Sequence, residues 1–227
     1  MAEMVEVKLR GVLFDMDGVL MSSLGSVERS WQRYARSRGV DPELAVRLAH
    51  GRRAIETVRA LRPDLNDRDE LRVIEEMEVQ DNEGLVVLPG VREMIAALPP
   101  DRWAIVTSAT ERLARSRLAF AGIEIPRHFI TADRVVQGKP HPEPYLRGAA
   151  LLGAEPQDCV VVEDAPAGVA AGKAAGCKVL AVLTTHAPQT LLAADWRVPT
   201  LADVHTQATP PGMVTLRFPP WTEVARG

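Results

Sequence analysis

The sequence predicts an α/β protein, a Rossmann-like parallel sheet core with an inserted all-helical cap. Three observations predict it. Short apolar runs recur at Arg10 to Asp15, Trp103 to Val106, Cys159 to Val162 and Lys178 to Leu183, each with the length of a buried strand. Helical patterns separate them, the alternation of a parallel sheet with crossover helices. From about Ser26 to Leu88, between the first run and the second, the periodicity is helical only.

The first run, RGVLFD, ends at acids and Gly18, so it reads as a buried strand entering a tight turn. Helices are expected at Val27 to Ser37, Pro42 to His50, Ala54 to Leu61 and Asp67 to Glu83, with Pro63 and Gly84 as punctuation. We expect residues 22–88 to form the cap, hinged near Ser22 to Gly25 and Val86 to Pro89, and residues 1–21 and 89–227 to form the core. Caps of this kind close over ligands. Ala165 to Gly176, rich in Ala and Gly, reads as a closely packed helix. After Thr184 the chain is Pro-rich, and Gly212 to Phe218 is expected as an edge strand or a partner contact. In open parallel sheets ligands bind beyond the carboxyl ends of the strands, so Asp15, Thr107, Glu163 and Asp164 should converge there.

With 46% hydrophobic and 25% charged residues, the 227-residue chain has an ordinary globular balance, which excludes a disordered or fibrous protein. A formal net charge of -3, with basic runs no longer than Arg52-Arg53, argues against nucleic acid. Cys159 and Cys177 have no CxxC spacing, so neither a disulfide framework nor a zinc site is suggested, and both are expected as reduced core residues. Nowhere is there an apolar run that suits a signal peptide or a membrane span, and the expected location is cytoplasmic.

Four short motifs carry the chemistry. Asp15-Met16-Asp17-Gly18 sets two carboxylates two residues apart at a strand mouth, where a period of two aims both the same way. A solvated turn is the plain alternative; a calcium loop is not, because Gly18 comes too early. Val106-Thr107-Ser108-Ala109 offers hydroxyls and backbone N–H groups for phosphoryl oxygens, or simply a helix cap. In Gly138-Lys139-Pro140-His141-Pro142, prolines fix the backbone around one lysine, a rigidity that a solvated surface lysine does not need. Val160-Val161-Val162-Glu163-Asp164 runs an apolar strand into paired acids, which suit magnesium as hard oxygen ligands or cap the next helix.

In this order and spacing, DMDGVL, IVTSAT, GKPHPEPY and VVVEDAPAG resemble the four motifs of the haloacid dehalogenase superfamily of phosphatases, over nearly the whole chain. HGRRAIETVRAL and HFITADRVVQGKPHPEPYLRG are similar to the glycerol-3-phosphatase and 2-deoxyglucose-6-phosphatase type of sugar phosphatase. The resemblance implies Asp15 as nucleophile, Asp17 as general acid and base, and Lys139 as the lysine that steadies the nucleophile and the transferred group. It implies Thr107 and Ser108 as phosphate binders. It also implies Mg2+ held by Asp15, by the backbone carbonyl of Asp17 and by Asp164, with Glu163 as a ligand or beside one. Arg53 matches an arginine of the cap motif. With His50 it is expected against the substrate beside the Gly51 turn, an exposed basic helix start being the alternative. Met21-Ser22-Ser23 departs from the many relatives that carry Asp before Ser, and the tail beyond Thr209 is atypical; both bear on substrate identity.

The implied reaction is magnesium-dependent hydrolysis of a small sugar or polyol phosphate monoester through an aspartyl-phosphate. Two carboxylates repel an anionic phosphate, so the cation and Lys139 are needed for approach as well as for catalysis. A β-phosphoglucomutase-like phosphomutase and a phosphoglycolate phosphatase are the alternatives. Residues 168–173, GVAAGK, lack the glycine spacing and the Ser or Thr of a nucleotide loop. The histidines at 50, 128, 141, 186 and 205 show no metal-ligand spacing. The expected partner is a small phosphorylated metabolite, with no nucleic acid and no membrane, and the chain is expected as a monomer or weak dimer.

Overall fold

The computed structural model describes residues 4–219 and 221. The chain opens on strands β1 (Val5–Leu9) and β2 (Gly11–Phe14). A short β3 (Met21–Ser22) leads into helices α1 (Leu24–Arg38), α2 (Pro42–Ala49), α3 (Ala54–Leu61) and α4 (Asp67–Gln80), and β4 (Val86–Val87) leads out of them. There follow α5 (Val91–Ala97), β5 (Trp103–Val106), α6 (Glu111–Ala121), β6 (Phe129–Ile130), α7 (Glu143–Leu151), β7 (Cys159–Glu163), α8 (Pro166–Ala174) and β8 (Lys178–Val182). Strands β9 (Trp196–Val198), β10 (His205–Thr209) and β11 (Met213–Phe218) come last.

Six strands form one sheet in the order β6-β5-β2-β7-β8-β9, and every pairing in it is parallel. Strands β2, β5 and β7 are buried at every residue, as expected of continuous apolar runs in a sheet covered on both faces. Alternate residues serve opposite faces: Val12 and Phe14 join one apolar cluster with Ile105, Val160 and Val162, while Leu13 joins the other with Val106, Val161 and Tyr145. Cys159 and Cys177 are unpaired and buried.

The helices α1 to α4 enclose an apolar cluster of their own, built on Trp31, Tyr34, Ala45, Val58 and Ile74. Both chain crossings into this segment run side by side, because β3 and β4 pair antiparallel with Met21 opposite Val87 and Ser22 opposite Val86. This ribbon is absent from the helix-only pattern of residues 26–88, since two-residue strands leave no periodicity to read.

The expectation for Gly212 to Phe218 needs correction. Strand β11 is not an edge but the centre of a three-stranded antiparallel sheet, β1-β11-β10. Val5 lies opposite Phe218 and Leu9 opposite Val214. Val7, Leu9, Val214, Leu216 and Phe218 are buried in the cluster that contains Phe14, so the tail is tied to the core through the chain's first strand. Among the described residues no helix is long and apolar enough to cross a membrane.

Candidate active site

Strands β5, β2 and β7 are neighbours, so their carboxyl ends deliver Thr107, Asp15, Glu163 and Asp164 to one place. All four are buried. Lys139, also buried, enters from the loop between β6 and α7 and donates from Nζ to Asp15 Oδ1 and to Glu163 Oε1, each at 2.7 Å. Glu163 is fully engaged. Its Oε1 also accepts from the Tyr145 hydroxyl at 2.7 Å, and its Oε2 accepts from the backbone N–H of Asp164 at 2.9 Å and of Ala165 at 3.1 Å. The Asp164 carboxylate accepts from the Thr185 hydroxyl. Two glycines make room for these acids. A Cβ on Gly168 would come within 1.6 Å of Glu163 Oε1, and one on Gly18, whose φ is +82°, within 2.1 Å of Asp164 Oδ2.

One oxygen from each of Asp15, Glu163 and Asp164 can be chosen so that all lie within 4.8 Å of one another. Three buried carboxylates therefore face one lysine. Burial pushes Asp15 up to about 7 in spite of Lys139, with Glu163 adding to the rise. Burial, then Glu163 and Asp15, hold Asp164 well above the usual carboxylate range. Burial also works to raise Glu163, but Lys139, Tyr145 and the backbone donors outweigh it and keep that group ionised. Hard carboxylate oxygens crowded beyond what one lysine can neutralise fit a divalent cation such as Mg2+, which would favour their ionised forms, with Asp15 and Asp164 as the carboxylates whose donors leave oxygens open to it. Glu163, held by four donors, is better suited to anchoring Lys139 than to ligating the ion itself.

Asp17 has a different partner. Arg117, buried on α6, donates from Nη1 to Asp17 Oδ1 at 2.9 Å and from Nη2 to Glu78 Oε1 on α4 at 3.2 Å. Burial raises Glu78 to about 7, with Arg117 opposing. Sequence reasoning missed both residues, because they sit in helices dense with charge. One signal was available: Arg117 falls on the same helical face as the buried Leu113, Ala114, Leu118 and Ala121.

A cavity of about 130 Å³ opens between the sheet edge and the four helices. Asp15, Asp17, Thr107, Ser108 and Asp164 line it from the sheet side, and Trp31, His50, Leu71, Glu75 and Glu78 from the helices. Thr107 Oγ1 accepts from the backbone N–H of Ala109 at 3.1 Å, and Ser108 Oγ donates to the Gly51 carbonyl at 3.4 Å. His50 stands 6.4 Å from His186, ring to ring, with Nε2 unpartnered; burial lowers its pKa, and His186 adds to the effect. Arg53 does not line the cavity, whereas Arg52 does. Arg53 donates from Nε to Glu56 at 2.7 Å and from Nη1 and Nη2 to the carbonyls of Val135 and Val136 at 3.1 and 3.0 Å. Its guanidinium is thus spent on the loop that leads to Lys139, packed against Gly138.

Residues 9–176 match the family model of a hydrolase, the haloacid dehalogenase-like hydrolases. Hexitol phosphatase A of Escherichia coli (strain K12) is 45% identical over 184 residues, covering 78% of this chain and 84% of that protein. Glycerol-1-phosphate phosphohydrolase 2 of Saccharomyces cerevisiae is 37% identical over 193 residues, covering 80% of this chain and 77% of that protein. The crystal structure of CbbY from Rhodobacter sphaeroides in complex with phosphate shares the fold, with a TM-score of 0.74 at 23% identity over 86% of this chain and 96% of that one. With buried acids and a lysine gathered at the carboxyl edge of a parallel sheet, and with relatives of this length and identity, the chain belongs to the haloacid dehalogenase-like hydrolases.

Proposed function

We propose that this hydrolase releases phosphate from monoesters of small polyols or sugars, with Asp15 as the attacking group, Mg2+ as cofactor and residues 22–88 as a cap over the substrate. The observation that carries the reading is the buried Asp15–Lys139 pair at 2.7 Å, set beside Asp164 at the floor of the cavity. Lys139 opposes the effect of burial on Asp15 and directs its carboxylate, and Glu163 holds Lys139 in place. Thr107 and Ser108, with the N–H groups around them, receive the phosphoryl oxygens. Asp15 attacks phosphorus, and the bond to the leaving oxygen breaks as Asp17 donates a proton to it. Asp17, now a carboxylate, takes a proton from the water that hydrolyses the aspartyl-phosphate. When bound to Asp15, Asp164 and the Asp17 carbonyl, Mg2+ supplies the positive charge that offsets these acids as an anionic phosphate approaches.

The cavity and the relatives both support this substrate class. Trp31 and Leu71 beside Glu75 and Glu78 suit a carbon chain that bears hydroxyl groups, and the two relatives are named for a hexitol phosphate and a glycerol phosphate. Two unpaired, buried thiols accord with a cytoplasmic location.

The test is phosphate release across glycerol phosphates, hexitol phosphates, hexose 6-phosphates, 2-deoxyglucose 6-phosphate and phosphoglycolate, with magnesium and with excess chelator. Polyol phosphates should have the highest kcat/KM, and chelation should abolish turnover until magnesium is restored. Full turnover in chelator would refute the cofactor. Isomerisation of a sugar phosphate without phosphate release would favour a phosphomutase.

A further inference from the structure

The seam between α4 and α6 is built from charges. Glu75, Glu76 and Glu78 on α4 face Thr110, Arg112 and Arg117 on or beside α6, and Arg112 reaches Glu75 at 3.0 Å and Glu76 at 2.5 Å. Arg112 is half exposed, with 51% of its side chain accessible, and such pairs contribute little. Arg117 is different, because it is 2% exposed and its two amino groups reach carboxylates on opposite sides of the cavity. A planar guanidinium joined to two acids has one orientation, which a lysine could not reproduce. Its Nε, buried too, has no partner, and Arg117 itself lines the cavity.

Resting on the phosphatase reading above, we propose that Arg117 is a positioning residue for proton transfer by Asp17, and that Glu78, carried by α4, fixes Arg117 in that role. A carboxylate turns easily about its last torsion, whose wells are broad. With Oδ1 occupied by Arg117, the carboxylate plane of Asp17 is set and Oδ2 is the oxygen left to carry the proton. Because Glu78 belongs to the helical segment and Asp17 to the turn that follows β2, this alignment exists only while α4 is seated against α6. Proton donation is thereby tied to closure over the substrate, and an open site holds a poorly aligned acid. The buried Nε–H, which lacks a partner, is available to a hydroxyl of the substrate as the site fills.

Leaving groups separate this role from a structural one. An alkoxide needs the proton from Asp17, whereas p-nitrophenolate departs without it, and kcat/KM reports the step in which the leaving group is expelled. Arg117→Lys keeps the charge and loses the fork. For a hexitol phosphate it should lower kcat/KM by about 10²-fold, and for p-nitrophenyl phosphate by less than about 5-fold. Across a series of aryl phosphates, the dependence of log kcat/KM on leaving-group pKa should steepen. Glu78→Gln should shift the ratio in the same sense by about 10-fold, and it decides the question if the lysine variant does not fold. Equal losses on both substrates, or no loss on either, would overturn the proposal. Wild-type enzyme that releases phosphate from neither substrate would overturn the phosphatase reading instead.

Discussion

Asp15 stands in an environment that favours its neutral form yet keeps an ammonium 2.7 Å from its oxygen. That tension has measurable consequences. Under the proposed reaction, Asp15→Asn removes the attacking carboxylate and should cut turnover by at least about 10³-fold. It also removes one of three buried acids that share a single lysine, so the melting temperature of the chelated protein should rise, as thermal unfolding would show. Gly168→Ala should act in the opposite direction on stability. The added methyl would meet Glu163 Oε1, an atom held by Lys139 and Tyr145 that cannot withdraw. A cost of about 2–4 kcal/mol is expected, read as a lower melting temperature with activity lost in parallel. Asp15, Thr107, Glu163 and Asp164 were legible in the sequence because each closes an apolar run, and Lys139 because prolines bracket it. Arg117 and Glu78 were not, because a charge inside a helix reads as solvated until the partner across the fold is known.

Among the elements, the loop from β6 to α7 matters most, since it carries Lys139 and is braced by Arg53 across from α3. The cap motif identified Arg53 as a residue of interest but not its acceptors, which lie 82 and 83 residues away in the chain. From these contacts, Arg53→Ala should lower kcat/KM by a similar factor, about 10-fold, on polyol and aryl phosphates alike, because it loosens the lysine they share. A change in substrate ranking would instead put Arg53 against the substrate, and a substrate panel measures the difference. Strand β5 coincides with its apolar run because a buried parallel strand writes its whole length in hydrophobic residues. Strands β3 and β4 left no such mark, because their pairing joins residues more than sixty positions apart. The five residues of β1 alternate, but their partner β11 lies at the far end of the chain.

For the molecule as a whole, the proposed cation and the fold are linked through protons. Asp15 is raised to about 7 by burial, so the folded state holds a proton there that the unfolded chain releases near 4. Its stabilising contribution is complete below the unfolded value and is lost as pH rises through about 7. Glu78, also near 7, adds in the same sense. A cation at Asp15 replaces that proton, so binding should tighten over the same window. The gain in melting temperature on adding magnesium to chelated protein should grow from about pH 5.5 to about pH 8. The lowered pKa values of His50 and His128 affect both samples and cancel in the difference. A gain that is flat or shrinks with pH would place the ion elsewhere. Most direct of all is rapid acid quench of the magnesium-loaded enzyme turning over a hexitol phosphate, followed by mass spectrometry of the peptide that contains Asp15. The mass of one phosphoryl group, labile to hydroxylamine and located on Asp15, is the predicted result, with none in Asp15→Asn. Continuing phosphate release with Asp15 never modified would contradict the account.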